Sequence, residues 1–463
     1  MNEMQLLEDM CAAVPAPDPE RLAATRARVL SAITGDRAPA GRGPGGPWSA
    51  PFWALGRRRR GWVAPLAAAA AVAAVIVGTQ TVFSAIHSSV AAPRHHGSGP
   101  PTAGQRPGAG LTGPGTAYVT SGLGTVTPIR IATNRVLRPI NVGANADGIV
   151  FTPDDKTAYV LSDFLGIGPS TVTPIRTATN KALKPITVGR DARSFAITPD
   201  GTTIYVANYY SGTVTPVRTA TNTALTPVKI GRSPQGIAIT PDGKTVYVAN
   251  YLAGTVTPVR TATNTALTPV KVGQDAGAMA ITPDGSTLYV AHGRNLVTPI
   301  RTATDTALKP ITVGLSPIGI VFTPDGRTAY VLGFGGPKNK MGTVTPVRTA
   351  TNTALTPIPV GNGFPFSMGM VITPDGKTIY VTNFHGGTVT PIQTATNRAL
   401  TPIKVGVGPG DIAFTPDGKT AYVTDAALVA HRSSSVIPIR TATNTALAPI
   451  KVPEDPVAIA IIP

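Results

Sequence analysis

Six side chains have the types needed for proton transfer or cation binding: Asp163, Asp191, Asp275, His292, His385 and Asp425. Carboxylates and imidazoles are the groups that take up and release protons or hold a metal ion. They are dispersed along the chain, and no pair has the short spacing of a ligand motif. A second set mixes rings with cations: Tyr209, Tyr210, Tyr251, Phe364, Phe366 and Phe384 stand among Arg190, Arg193, Arg232, Arg294, His292 and His385. Aromatics beside guanidinium groups suit anionic or carbohydrate-like ligands and protein partners. No paired carboxylates and no nucleophile with its base can be assembled, so no catalytic residue, metal ligand or cofactor is assigned. The single cysteine, Cys11, excludes an intramolecular disulfide framework and any multi-cysteine metal site.

These residues sit between copies of one sentence, written for example as "ITPDGKTVYVANYLAGTVTPVRTATNTALTPVKVG" over 239–273. The proline of "VTPI" or "VTPV" recurs at 128, 174, 216, 258, 299, 346 and 391, with "VIPI" supplying Pro438. Those intervals match one four-stranded propeller blade. Each copy reads as strand a ("GIAIT"), a tight "TPDG" turn, strand b ("VYVAN"), strand c ("GTVTPVR") and strand d ("PVKVG"). The 49 Gly and 46 Pro agree with many turns and short strands.

The copies "YVANYYSGTVTPVRTATN", "YVANYLAGTVTPVRTATN" and "YVTNFHGGTVTPIQTATN" resemble the YVTN-type β-propeller repeat family over about 350 residues. The resemblance implies a propeller, by family habit of seven blades. It also raises an enzyme reading, because lactonase-type and lyase-type propellers resemble this repeat and carry ionisable residues or a metal at the central channel. Here the innermost strands, read from "GIVFT" to "AIAII", contain Asp411 as their one ionisable residue. The chain departs from the family where an aspartate commonly precedes "TATN": Arg stands there in seven copies and Gln393 in one. The proline inside strand c removes a ladder donor, which predicts a bulge at that point.

Counting strands predicts eight blades rather than seven. "TPDG" or "TPDD" occurs seven times, but the Tyr-Val pair of strand b occurs eight times, from Tyr118 to Tyr422. The chain therefore starts the propeller at a strand b and ends it with a strand a, "PVAIAIIP". Joined, they form a composite blade that closes the ring and leaves no open edge. The a–b and c–d turns lie on one face and vary little between copies; the b–c and d–a loops lie on the other and vary freely. Loops on a rigid scaffold are where binding residues concentrate, so the variable face is the candidate site. On the repeat-turn face, the arginines 130, 176, 218, 260, 301, 348 and 440 are expected to pair with the "TPDG" aspartates of their own blades, and Arg130 with the C-terminal carboxylate.

Upstream, residues 1–60 read as a cytoplasmic tail with a short helix over about 19–34, and 87–113 as a Pro/Gly-rich linker to a propeller over 114–463. Between them, 61–86 contain no charged residue, and Trp62 to Phe83 are long enough to cross a bilayer. Arg57 to Arg60 place the N-terminal side in the cytoplasm and the repeats outside. That run also accounts for the dense part of the +17 charge, the rest being spread along the repeats, so nucleic acid is not the expected partner. The sequence thus reads as a single-pass extracytoplasmic binding, adhesion or scaffold module for an extracellular protein or an anionic or carbohydrate ligand, with a possible cytoplasmic partner for the N-terminal helix. The alternative is a lactonase-like or lyase-like enzyme using the same face.

Overall fold

The computed structural model describes residues 115–462, apart from 144, 164–167, 335–340, 363–368, 427–433 and 454. The tail helix, the apolar span and the linker lie outside these residues. Among the described residues no helix is long and apolar enough to cross a membrane.

Eight antiparallel sheets form eight blades. Blades 1 to 7 follow one another from Ala146 to Lys451, and blade 8 is composite: Pro456–Ile462 is its strand a, and Thr116–Ser121 and Thr125–Arg130 are its strands b and c. Tyr118 pairs with Ala460 and Val119 with Ile459, the same register as Tyr205 with Ala196 and Val206 with Phe195 in blade 2. Inner strands of neighbouring blades pack all the way round, and Pro456–Ile462 contacts the inner strands of both blade 7 and blade 1. Eight blades are therefore closed, and seven is excluded.

Strand b does not alternate in polarity because a blade is covered on both faces. Its residues are buried almost throughout, as in Thr203–Asn208. Eight apolar clusters fill the eight seams; Tyr205 and Ala207 of blade 2, for example, pack with Val246 and Val248 of blade 3. Two words of the repeat are explained by a bond across each seam. The hydroxyl of the strand-b tyrosine donates to the "TATN" asparagine of the next blade, as in Tyr205 to Asn264 (2.7 Å) and Tyr159 to Asn222 (2.8 Å). The series closes through the composite blade, where Tyr118 reaches Asn180 and Tyr422 reaches Asn134. The acceptor sits at positive φ, 51° at Asn222 and at Asp305. Asn and Asp tolerate that conformation and offer an oxygen to the neighbour, so one residue makes the turn and the seam.

The expected bulge in strand c is absent: Tyr205 stands opposite Pro216 in an unbroken b–c ladder. The interruption falls instead in strand d, which is split into two-residue halves such as Thr223–Ala224 and Val228–Lys229, both paired with strand c. The N and O of a strand residue face the same neighbour. The Pro216 carbonyl accepts from the Leu225 N–H at 2.8 Å, so its missing N–H also faces strand d, where "Leu-Thr-Pro" arches away. The same Leu-to-Pro bond recurs in all eight blades, from Leu137–Pro128 to Leu447–Pro438.

The expected intrablade Asp–Arg pairs do not form. Each turn aspartate is satisfied within its own turn: Asp242 accepts from the Thr240 hydroxyl (2.6 Å) and the Lys244 N–H (3.0 Å), with Lys244 Nζ 3.6 Å away. These bonds, the threonine's first, hold the Asp242 carboxyl below its usual range. The repeated arginines are exposed and make no ion pair among the described residues. The partner expected for Arg130, the C-terminal carboxylate of Pro463, lies outside the described residues.

Candidate functional site on the variable face

The upper end of each inner strand decides what faces the mouth of the ring. In blades 1, 2, 3 and 5 the a–b register slips at the second residue of strand a, between Ala146 and Gly148, Ala192 and Ser194, Pro234 and Gly236, and Pro317 and Gly319. The bulged residues are Asp147, Arg193, Gln235 and Ile318. Bulges re-aim side chains and recur beside functional sites. The inner strands thus begin two residues earlier than their apolar words suggest, which brings Asp147 and Arg193 into the inner strands alongside Asp411.

Asp147 and Arg193 belong to one cluster at the seam of blades 1 and 2. Arg193 donates from Nε and Nη2 to the two carboxylate oxygens of Asp191, each at 2.8 Å, and its guanidinium lies 4.5 Å from the centre of the Tyr209 ring. The Tyr209 N–H in turn donates to the Asp191 carbonyl. Asp163 accepts from Ser170 (2.7 Å), whose oxygen receives the Ala192 N–H. Asp147 accepts from Asn145 through Oδ2, while its buried Oδ1 has no partner among the described residues; the buried hydroxyls of Ser162 and Ser194 have none there either. Burial, and after it the charge of Asp163, pushes the Asp147 carboxyl well above its usual range, against the pull of Arg193. The seam therefore holds a buried carboxyl oxygen and two buried hydroxyls that could each meet a further hydrogen-bonding group.

Of the six chemistry-bearing residues, the fold brings Asp163 and Asp191 to one seam and sets Asp275 close enough to His292 for its charge to act on the imidazole. Asp275, His292, His385 and Asp425 belong to blades 3/4, 4, 6 and 7, and no group able to hold a metal occurs among the described residues. Two of them have structural jobs. His292 is buried at the position of Asn208, Asn250 and Asn383, and its Nε2 meets Thr298 at 2.7 Å as Asn250 Nδ2 meets Thr257 at 2.8 Å. Burial lowers its pKa, against the opposing pull of the Asp275 charge. Asp425, at the same position, accepts the N–H groups of Val407 and Gly408. A glycine of the preceding blade lies flat against each of these side chains: a Cβ on Gly231 would stand 2.8 Å from Asn250 Cγ.

The remaining ligand candidates stand apart around the rim. Tyr209 and Tyr210 stack edge-to-face (5.5 Å), as do Phe384 and His385 (5.5 Å). Arg190 is exposed at the end of strand Ile186–Arg190, Arg232 and Arg294 are exposed in two further loops, and Tyr251 is half-buried, its backbone tied to Ser233 and Asp275. Phe364 and Phe366 lie outside the described residues. The sequence reading missed Asp147, although a column drawn one residue before "GIVF" through the copies would have isolated it, since Asp, Arg, Gln and Ile stand there in turn. It named Tyr210 but not the exposed apolar side chains that join it: six of the seven most exposed among the described residues, Leu123, Tyr210, Leu252, Leu315, Met341 and Val407, lie on this face, and only Leu400 lies elsewhere.

Comparison with known proteins shows the fold. Similar solved structures include hydrazine synthase of Kuenenia stuttgartiensis (TM-score 0.51, 23% identity, covering 64% of this chain and 95% of that one). The dihydro-heme d1 dehydrogenase NirN, in complex with DHE, gives a TM-score of 0.62 at 17% identity, covering 75% of each chain. Apo AztD from Citrobacter koseri gives 0.57 at 14%, covering 75% of this chain and 97% of that one. No family model matches the chain, and no curated protein matches it. The likeness extends to the fold alone: the chain is an eight-bladed β-propeller.

Proposed function

We propose that this protein is a membrane-anchored, extracytoplasmic binding module of YVTN-like type that captures a protein partner on its variable face. The observation that carries this reading is the concentration of exposed apolar side chains there, Tyr210, Leu252 and Leu123 among them. Single exposed apolar residues are ordinary; their gathering on one face, beside the aromatic–cation pairs, is what interaction surfaces look like. The words common to all copies support it from the other side, since tyrosine, asparagine, glycine and proline are consumed in holding the ring. A photo-crosslinking residue placed at 210 or 252 in intact cells should yield adducts to one discrete protein, lost when the neighbouring apolar residues are changed to serine. Equal labelling from position 221 on the opposite face would overturn the reading.

The seam of Asp147, Asp163, Asp191 and Arg193 supports a second reading, a small-ligand or lactonase-like site on the same face, because three buried oxygens there lack partners among the described residues. The two are separable. Asp147→Asn should abolish small-ligand binding or turnover under this second reading, and leave adduct formation at 210 and 252 unchanged under the first. For the anchor itself, protease added to intact cells should degrade the repeats and spare residues 1–60; protected repeats would refute it.

A further inference from the structure

We propose that the propeller turns its repeat-turn face toward the bilayer, where the arginine ring docks on anionic phospholipid headgroups. This rests on the reading of Trp62 to Phe83 as a membrane span. Three observations converge on it. The first is polarity of charge. The propeller carries 29 Lys and Arg against 17 Asp and Glu, of which the variable-face loops and adjoining strand ends, with Lys229, Lys271, Lys404 and Lys451 at the ends of strand d, hold 11 basic and eight acidic residues. Most of the positive excess, 18 basic against nine acidic residues, therefore belongs to the repeat-turn face and the outer wall.

The second is availability. The turn aspartates are spoken for by threonine hydroxyls, backbone N–H groups and the lysine or arginine two residues on, as in Asp375 with Lys377 and Asp325 with Arg327. Arg218, Arg260, Arg301 and Arg348 are exposed and make no ion pair among the described residues, each at the same height at the end of a strand c. Guanidinium forks bind phosphate in two-pronged fashion, and several at one level on one face engage a surface together.

The third is the tether. The chain enters the ring at Thr116, which stands opposite Arg130 and Ile462, so it arrives on the repeat-turn face and not the variable one. A Pro/Gly-rich linker over 87–113 spans roughly 30 Å on average, close enough to hold this face near a bilayer. Attraction to anionic lipid then acts within about 8–10 Å of the surface, and the variable face is left pointing away from the membrane, free for a partner.

The test uses the full chain, reconstituted in vesicles of phosphatidylcholine alone or with about a third phosphatidylglycerol, a range in which surface charge dominates. In a Cys11→Ser background, a donor dye at Thr221→Cys (repeat-turn face) or Leu252→Cys (variable face) reports energy transfer to headgroup-labelled lipid. The expected result is about twofold or greater transfer from 221 over 252 on anionic vesicles, collapsing at high salt, and lost in Arg218→Gln/Arg260→Gln/Arg301→Gln/Arg348→Gln with its melting temperature retained. Equal transfer from both dyes, or transfer indifferent to lipid charge or to the four substitutions, overturns the docking. An alkaline carbonate wash separates the failures: protein that washes off refutes the span and with it the proposal, whereas protein that stays without charge dependence refutes the docking alone. Binding of soluble heparin through the four arginines, with no approach to anionic vesicles, would assign the ring to a soluble polyanion and refute the lipid.

Discussion

The seam bonds make tyrosine ionisation a stability question. Burial pushes Tyr118, Tyr159, Tyr205, Tyr289, Tyr330 and Tyr380 up to about 12, and raises Tyr247 and Tyr422. A pKa raised by folding leaves stability intact below the unfolded value near 10 and removes it as pH climbs through the folded one. The ring should therefore hold to about pH 10 and then unfold steeply by about 12, read as the urea midpoint against pH. Tyr205→Phe, which removes one bond, should cost about 1 kcal/mol at pH 7; an unchanged midpoint would show the seam bond to be idle. Asp411 works in the opposite pH range. It takes the strand-a position filled by Gly, Ala or Ser in other blades, accepts the Ile459 N–H of the closing strand at 2.9 Å, and is pushed by burial to about 7. Its contribution is full below pH 4 and lost as pH rises through 7, so wild type should be more stable at pH 5 than at pH 8 by a few kcal/mol, at about 1.4 per pKa unit. Asp411→Asn should flatten that slope whatever its absolute stability; a slope identical to wild type would remove Asp411 from the account. The sequence showed Asp411 as the odd residue of its column but not what it touches, because its partner lies 48 residues away in a strand of another blade.

At the scale of the element, the blade was legible and its outer strand was not. Repeat length, turn words and the eight Tyr-Val pairs lead directly to four strands and to the composite blade. The proline in strand c looked like damage to a ladder because sequence does not say which neighbour a backbone N–H faces. The register turns it into a device that pairs with the "Leu-Thr-Pro" arch of strand d. The charged turns misled for a related reason. Arg218 and Asp200 reach the same face, but Asp200 is engaged locally by Thr198 (2.5 Å) and Thr202 (3.0 Å), and short-range Asx bonding is favoured over ordering a long exposed side chain. The closing strand is where the element matters most. Deleting Pro456–Pro463 would leave Thr116–Ser121 with an open edge and, by removing Ile459, uncover Val119, Tyr422 and their apolar neighbours in the seam with blade 7. The expected outcome is aggregation or a large fall in melting temperature; a truncated chain melting like wild type would show that the termini contribute nothing to closure.

For the whole molecule, each seam resembles every other, so the place where the chain begins should be interchangeable with any loop of the ring. Blade 8 differs from its neighbours only in lacking the a–b turn. Ile462 stands opposite Thr116 where Thr198 and Thr203 close the turn in blade 2, and Pro463 falls at the place of Pro199. Inserting Asp-Gly between Pro463 and Gly115 would restore "Pro-Asp-Gly" with glycine at the position whose φ is 71° in Gly201, a conformation that glycine adopts without strain. The chain can then be opened between Leu252 and Ala253, both exposed in a b–c loop. Because every bond of the scaffold is kept, and the two covalent ends are exchanged for one loop, this permutant of residues 115–463 should fold with a melting temperature within a few degrees of the unpermuted ring. It should also regain the charge polarity but lose its alignment with the tether, since the new N-terminus emerges on the variable face. An apolar span grafted there would present the arginine ring outward. Failure of the permutant to fold would mean that blade 8 is not equivalent to the other seven, and that the ring depends on the order in which its ends meet.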